Sequence, residues 1–132
     1  MTNEEKKQYL SNYKSLDRQV DALLNERGRW LSRAENMTVT KQKTSGISDR
    51  ARRCLEHISL LEADINDTID HMITLRGNIW QKISGRDDER LQELLYYRYI
   101  EGLTLEEVAF AMHYSYMQVN RLINRALDTL PL

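Results

Sequence analysis

The sequence predicts an all-α protein in which a long antiparallel helical hairpin, similar to a coiled coil, precedes a helix-turn-helix. Three observations lead to this fold class. Two long stretches carry apolar residues at heptad spacing, a polar gap separates them, and two helix-start signals lie close together near the C-terminus. The chain has 132 residues with one proline, five glycines and 30% charged residues, which is typical of an ordered helical domain.

The first stretch predicts a helix of roughly thirty residues with one apolar face. Its heptad positions and the complementary positions between them are Tyr9, Tyr13, Leu16, Val20, Leu23 and Trp30. The periodicity stops over residues 34–48, where threonines, serines, a glycine and lysines predict a basic loop.

A second long helix is predicted from Asp49 to Ile83, which would be about 50 Å long at 1.5 Å per residue. Its apolar stripe consists of Cys54, Ile58, Leu61, Ile65, Met72, Leu75 and Ile79. A helix of this length needs a partner along its side, and the first helix folded back is the nearest one. Residues 1–83 are therefore predicted to form a hairpin and an oligomerisation stalk, with a homodimer favoured. The remaining apolar positions available for self-association are Ile69, Ile73, Trp80 and Ile83.

Residues 84–132 are predicted to form a separate helix-turn-helix domain. A helix from about Asp88 to Glu101 ends at Gly102, and two capping-box patterns follow, Thr104 with Glu107 and Ser115 with Gln118. The helix between these caps has room for only eight or nine residues, so His113 and Tyr114 must turn the chain. The residues predicted to point inward are Val108, Ala109, Met112, Tyr114, Val119 and Leu122.

Residues 97–130, YRYIEGLTLEEVAFAMHYSYMQVNRLINRALDTL, carry a family resemblance. Over roughly residues 91–130 the chain resembles the region-4 helix-turn-helix of bacterial sigma factors, with an RYxxG segment before LTxEEVA, a serine-capped second helix and a closing RAL. The whole layout, with a YLxxYKxLD-like first helix, resembles small phage and prophage transcriptional regulators of the RinA/ArpU type. The resemblance implies a sequence-specific DNA-binding transcriptional regulator that reads the major groove of double-stranded DNA with helix 115–129.

The resemblance also implies roles for single residues. The candidates for contacts to base edges are Tyr116, Met117, Asn120 and Arg121. Ser115 and Arg125 are candidates for phosphate contacts. Tyr116 and Met117 stand where region 4 usually has an Arg-Glu pair, and they equally suit a protein-contact surface.

The positive charge of the chain is central and not C-terminal. Residues 27–53 contain eight basic and two acidic residues, a local charge of +6, whereas residues 84–132 contain five arginines and eight acids, a charge of −3. Because phosphate neutralisation supplies most non-specific DNA affinity, the basic segment is predicted to provide it. The candidate phosphate contacts in this segment are Lys41, Lys43, Arg50, Arg52 and Arg53.

Two other functions remain open from the sequence: a sigma-like module that contacts RNA polymerase with DNA binding secondary, and a phage DNA-packaging subunit of the small terminase type. We expect no enzymatic activity and no cofactor, because neither a phosphate-binding loop nor a nucleophile motif occurs. His57, His71 and His113 lack metal-ligand spacing, the acids Asp64, Asp67 and Asp70 predict an exposed helix face, and Cys54 predicts a buried thiol. The protein is expected in the cytoplasm of a bacterial cell, with the nucleoid when bound to DNA, and not in a membrane.

Overall fold

The computed structural model describes residues 1–40 and 49–132. Within these ranges the chain forms five α-helices and one π-helical turn, which directly continues the third helix. They are α1 (Asn3–Thr40), α2 (Asp49–Ser84), α3 (Glu89–Leu95), the π turn (Tyr96–Ile100), α4 (Leu105–Met112) and α5 (Tyr116–Thr129). The described residues contain no β-strand, and the predicted all-α fold is confirmed.

The first helix is longer than the sequence pattern predicted. α1 continues to Thr40, so the loop predicted over residues 34–48 does not begin at residue 34. Ala34 is buried in a small cluster with Cys54 and Ile58, and tertiary packing of this kind favours helix where composition suggests a loop. The predicted phosphate contacts Lys41 and Lys43 lie outside the described residues.

The chain divides into two compact units, residues 17–71 and residues 1–16 together with 72–132. The second unit joins the beginning of α1 and the last turns of α2 to the C-terminal helices. The sequence pattern placed a boundary after residue 83, and that functional division stays a prediction.

In the unit of residues 17–71, α1 and α2 run antiparallel. Arg27 Nε lies 3.5 Å from Glu62 Oε1, and three residues further along α1 the Trp30 ring meets the His57 ring at 4.5 Å between centroids. The Cys54 thiol donates to the Trp30 carbonyl over 3.5 Å. Residue numbers increase along α1 while those of their contact partners decrease along α2, which is the antiparallel arrangement that the predicted hairpin requires. The Cys54 thiol is buried, as expected.

The larger core belongs to the unit that contains the C-terminal helices. Its fully buried side chains include Leu10, Ile79, Ile83, Leu94, Leu95, Val108, Val119 and Leu127. Two details differ from the sequence prediction. Ile83 is completely buried, so it is not available for self-association, and on α1 the fully buried residue is Leu10, while Tyr9 and Tyr13 are only half-buried.

The N-terminus of α1 packs on the C-terminal end of α5. Lys6 is 7% exposed, and its Nζ donates to the Leu127 carbonyl over 2.7 Å. Nearby, Asn3 Nδ2 donates to Asp128 Oδ1 over 2.6 Å. The last carbonyls of a helix lack partners within the helix and carry partial negative charge, so the lysine stabilises the end of α5.

The π turn explains an unusual burial pattern. Leu94 and Leu95 are buried, and so are Tyr99 and Ile100, five residues later. An α-helix of 3.6 residues per turn rotates such pairs out of register, whereas the wider π turn returns them to the same side. The sequence pattern predicted one α-helix over residues 88–101 and gave no sign of this turn.

Candidate nucleic-acid interface

Both predicted capping boxes are present around the short helix α4. The Glu107 N–H donates to Thr104 Oγ1 over 3.2 Å, and the Thr104 N–H donates back to Glu107 Oε1 over 3.1 Å. The Gln118 N–H donates to Ser115 Oγ over 3.1 Å, and the Ser115 N–H donates to Gln118 Oε1 over 2.8 Å. Each box satisfies two backbone donors and fixes where its helix begins.

The turn between α4 and α5 depends on His113. This residue ends α4 in the left-handed conformation with a φ of 58°, and it is the one described non-glycine residue with positive φ. The next residue, Tyr114, donates its N–H to the Ala109 carbonyl over 2.9 Å. Histidine accepts this conformation more readily than β-branched residues do, so the turn forms without the glycine that is common there.

One face of α5 is anchored in the core. Val119, Ile123, Ala126 and Leu127 are at most 4% exposed. Val119 was predicted to point inward and does; Met112, Tyr114 and Leu122, also predicted inward, are half-buried. A helix held by four buried side chains presents its opposite face in one fixed orientation.

All four candidate base-reading residues are exposed on α5. Tyr116 is 46% exposed and Met117 is 69% exposed, and Asn120 and Arg121 are exposed as well. Gln118 is engaged in the cap, as its capping-box position predicted. Asn124, three residues after Arg121 and seven after Met117, is exposed on the same face by helical spacing, and sequence reasoning missed it. The base-reading roles themselves stay predictions.

A groove of about 470 Å³ runs beside the exposed face of α5, and we call it the basic groove. Its lining residues are Arg90, Tyr114, Gln118, Arg121, Leu122 and Arg125. Three arginines and no acidic residue line it. The groove brings together Arg121 and Arg125, which were predicted site residues, and Arg90, which was not.

Arg90 comes from the first turn of α3, and a short network orients it. Asp88 caps α3 by accepting the Arg90 N–H over 3.0 Å, and its other carboxylate oxygen lies 3.3 Å from Arg90 Nη2. The hydrogen bond from Arg90 to Asp88, with a smaller contribution from Tyr114, raises the pKa of Arg90. The same hydrogen bond lowers the pKa of Asp88. In the sequence, the one indication of this pair was an acidic residue two positions before an arginine.

The other two arginines of the C-terminal segment have structural partners. Arg98 Nη1 donates to the Leu103 carbonyl over 2.8 Å and lies 5.9 Å from the centroid of the Tyr99 ring. Arg86 donates to the Thr129 hydroxyl at the end of α5, and partial burial lowers the pKa of Arg86. The remaining three arginines of this segment lie together in the basic groove.

None of the acidic residues of the C-terminal segment lines the basic groove, although Asp88 pairs with Arg90. Asp88 and Glu107 act as caps, and Asp128 accepts a hydrogen bond from Asn3. Glu89, Glu93 and Glu101 line a separate groove on another side of α3, described below. The net charge of −3 therefore does not describe the lining of the basic groove, while Asp87 and Asp88 line another pocket with Arg125 and Thr129 of α5.

The basic residues of the hairpin fall into two groups. Arg27 pairs with Glu62, and the Arg33 guanidinium lies 4.7 Å above the centroid of the Trp30 ring. Arg50, Arg52 and Arg53 are exposed in the first two turns of α2 and are available for phosphate contacts. Their role as phosphate contacts stays a prediction.

The described residues were also compared with the requirements of a metal-binding cluster and of a membrane-spanning helix. Among residues 1–40 and 49–132, no cluster of histidine, cysteine or acidic side chains is arranged to hold a metal ion. Asp64, Asp67 and Asp70 are exposed on α2, as predicted. No helix in the described part of the chain combines the length and the apolar character that a membrane span requires.

Comparison with known families agrees with this geometry. The family model described as Sigma-70, region 4 matches residues 88–130, which include α3, the π turn, α4 and α5. The predicted sigma resemblance of the C-terminal segment is thereby confirmed, and it begins three residues earlier than expected. This segment is similar to a DNA-binding helix-turn-helix. No curated protein and no solved structure matches the chain.

Proposed function

We propose that this protein is a sequence-specific, non-enzymatic regulator of transcription that reads the major groove of double-stranded DNA with α5. The observation that carries the proposal is the match of residues 88–130 to sigma region 4, together with an exposed α5 face beside a groove lined by three arginines. A helix fixed by a buried face and flanked by cations suits the major groove, because phosphate contacts set the register while side chains read bases.

Each residue has a distinct part in this proposal. Arg121 offers a bidentate pair to guanine and Asn120 to adenine, while Met117 meets a thymine methyl group and Tyr116 packs against the sugar-phosphate backbone. Arg90 and Arg125 bind phosphates on one side of α5, and the Ser115 hydroxyl, whose oxygen already accepts the Gln118 N–H, can donate its proton to a phosphate oxygen. Asn124 extends the reading face by one turn.

The resemblance of the whole layout to phage regulators supports a finer proposal. The protein is then encoded by a phage or prophage, acts in the bacterial cytoplasm and controls late genes as a homo-oligomer. Arg50, Arg52 and Arg53, with Lys41 and Lys43, add phosphate contacts beyond the helix-turn-helix.

The test begins with selection of bound fragments from random DNA, which defines a site. The double variant Asn120→Ala/Arg121→Ala should then weaken binding to that site by about 1–3 kcal/mol for each bidentate pair removed, while binding to unrelated DNA changes little. Arg76→Ala/Asn78→Ala removes the same residue types from exposed positions of α2 and is the matched control. Specific binding that survives the first variant would show that α5 does not read the site.

The basic residues of α2 need a separate measurement. The triple variant Arg50→Gln/Arg52→Gln/Arg53→Gln should reduce the slope of log affinity against log salt by up to about 0.9 for each phosphate that is no longer neutralised. Neutralising the exposed residues Arg18, Arg76 and Lys82 changes the net charge equally and is the control. An unchanged slope in the α2 variant, alone and combined with Lys41→Gln/Lys43→Gln, would remove these residues from the DNA interface.

A second candidate function is direct contact with RNA polymerase. The observation that favours it is the family match, since region 4 belongs to proteins that work with polymerase. Polymerase capture from cell extract with nuclease present distinguishes the two, because a complex bridged by DNA disappears after digestion. Direct capture by a variant that no longer binds DNA would make the polymerase contact the primary function.

A further inference from the structure

A second groove on α3 has the opposite charge from the basic groove. It measures about 420 Å³, and we call it the acidic groove. Its lining residues are Trp80, Glu89, Gln92, Glu93, Tyr96, Tyr97 and Glu101. All of them belong to the unit that contains the C-terminal helices. The proposed DNA-binding role uses none of them, so the groove is unexplained by that role.

Aromatic rings form one part of this groove. Trp80 near the end of α2 is 42% exposed and meets Tyr96 edge to face, with 5.8 Å between ring centroids. Tyr96 in turn meets Tyr97 at 6.3 Å. An indole that is this exposed leaves apolar area in water, and its position among other rings is typical of protein contact sites and not of an inert surface.

Three carboxylates lie around these rings. Glu89, Glu93 and Glu101 are all exposed, and no ion pair to any of them is formed among the described residues. Their negative potential acts on the groove itself, because Glu93, with smaller contributions from burial and from Glu101, raises the pKa of Tyr97. Carboxylates and aromatic faces are the two chemical groups that bind a guanidinium, which pairs with the first and stacks on the second.

One more apolar side chain of α2 is exposed on the same side of the helix as Trp80. Ile73 is 65% exposed and lies seven residues before Trp80, on the same side of the helix. The structure buries Ile83, which the sequence pattern had grouped with these residues. The large exposed apolar side chains of α2 in this unit are therefore Ile73 and Trp80.

We infer that the acidic groove docks an arginine-bearing, apolar-flanked segment of a partner protein. The arginine head group lies against Trp80 and Tyr96 with Glu89 and Glu93 as its ion-pair partners, while apolar side chains of the same segment cover Ile73. DNA does not fit here, because three carboxylates repel phosphate. The two grooves use different flanks of α3, so a partner in the acidic groove leaves Arg90 accessible.

This inference is independent of the proposed reading of DNA by α5. A synthetic peptide in which arginines alternate with leucines is the probe, and a peptide with glutamate at each arginine position is its control. Titration into the Trp30→Phe variant makes Trp80 the reporting fluorophore, because Trp30 is the other tryptophan in the chain. We expect saturable binding of the arginine peptide and none of the glutamate peptide.

Two variants locate the peptide-binding site. Peptide binding to the first is measured by Trp80 fluorescence in the Trp30→Phe protein. Peptide binding to the second, which lacks Trp80, is measured by calorimetry. Glu89→Gln/Glu93→Gln/Glu101→Gln should weaken peptide binding by about tenfold, since exposed ion pairs each contribute little. Trp80→Leu should weaken it by roughly three- to tenfold. Both variants should bind DNA as the unmodified protein does, so that failure here leaves the DNA proposal intact.

The matched control neutralises another exposed acidic set. Asp64→Asn/Asp67→Asn/Asp70→Asn removes the same charge from α2 outside the groove and should leave peptide affinity unchanged. Equal weakening in this control and in the glutamate variant would overturn the inference, because general charge would then explain binding. Sedimentation of the protein alone gives the remaining outcome: self-association abolished by the glutamate variant would assign the groove to a second copy of this chain and overturn the partner assignment.

Discussion

The two sides of α3 differ in charge, although their residues alternate within one short stretch of sequence. Arg90 faces the basic groove with Arg121 and Arg125, while Glu89 and Glu93 line the acidic groove with Trp80. Residues one position apart on a helix point about 100° from each other, so neighbours in sequence belong to different surfaces. Local net charge is therefore a poor guide to which ligand a helical segment binds.

The acidic balance of the C-terminal segment has the same structural explanation. Eight acids and five arginines seemed unfavourable for DNA binding. Glu89, Glu93 and Glu101 line the acidic groove and Asp88 pairs with Arg90, whereas three of the five arginines converge beside α5. The basic groove thus has a cationic lining in a segment whose total charge is negative.

The strongest test of this difference neutralises charge on each side in turn. Arg90→Gln/Arg125→Gln should weaken DNA binding by roughly tenfold or more and reduce the salt slope by about 2, because two phosphates are no longer neutralised. Glu89→Gln/Glu93→Gln changes the net charge by the same amount in the opposite direction and should leave the slope unaltered. Equal and opposite effects in a DNA titration would mean that total charge, and not its placement, determines affinity.

A second test concerns Lys6, whose side chain contacts the C-terminal end of α5. Lys6→Met removes the buried donor to the Leu127 carbonyl and should lower the free energy of unfolding by about 1–3 kcal/mol. Urea denaturation measures this change. Lys7→Met is the control, since Lys7 pairs with Glu4 at the surface and should cost at most about 1 kcal/mol. Equal destabilisation by the two variants would contradict a special role for Lys6 at the end of α5.

The turn that places Tyr114 in the basic groove offers a third test. His113→Val puts a β-branched residue at a φ of 58° and should destabilise the protein by about 1–2 kcal/mol. His113→Gly relieves that restriction and should change stability by less than about 1 kcal/mol while DNA binding is kept. Thermal unfolding of both variants distinguishes the backbone effect from a role of the imidazole, because strong destabilisation by the glycine variant would point to the side chain.

The smallest expected effect concerns the carboxylate that orients Arg90. The folded-state pKa of Asp88 lies below its ordinary value of 3.8, so its contribution to stability is fully present above that value and is lost as pH falls through the lowered pKa. Asp88→Asn should remove this acid-dependent part of the unfolding free energy while keeping a side-chain cap on α3. Stability curves between about pH 2 and pH 6 that are parallel for the two proteins would contradict the ion pair.

Much of the fold follows from the order of residues along the chain. The helix limits at Gly102, Thr104 and Ser115 agree with the structure, because caps and left-handed terminators act over three or four residues. The antiparallel hairpin follows from the length of two apolar stripes. The exposed face of α5 follows from helical periodicity once its start is known.

Other features escaped sequence reasoning for a common reason. Ala34 on α1 packs with Cys54 on α2, and Lys6 near the start of the chain donates to a carbonyl near the end of α5. The π turn accompanies the burial of four side chains, Leu94, Leu95, Tyr99 and Ile100. These contacts depend on how separate elements pack together, and local propensity carries no information about them.

The sequence by itself therefore determined the all-α class, the paired caps and the residues that α5 exposes, because each rests on interactions within one or two helical turns. Only the tertiary structure decided that Arg90 joins Arg121 and Arg125, that Trp80 meets Tyr96, and that Ile83 is buried. The physical reason is that a groove is formed by side chains from different helices, and their meeting depends on how those helices pack.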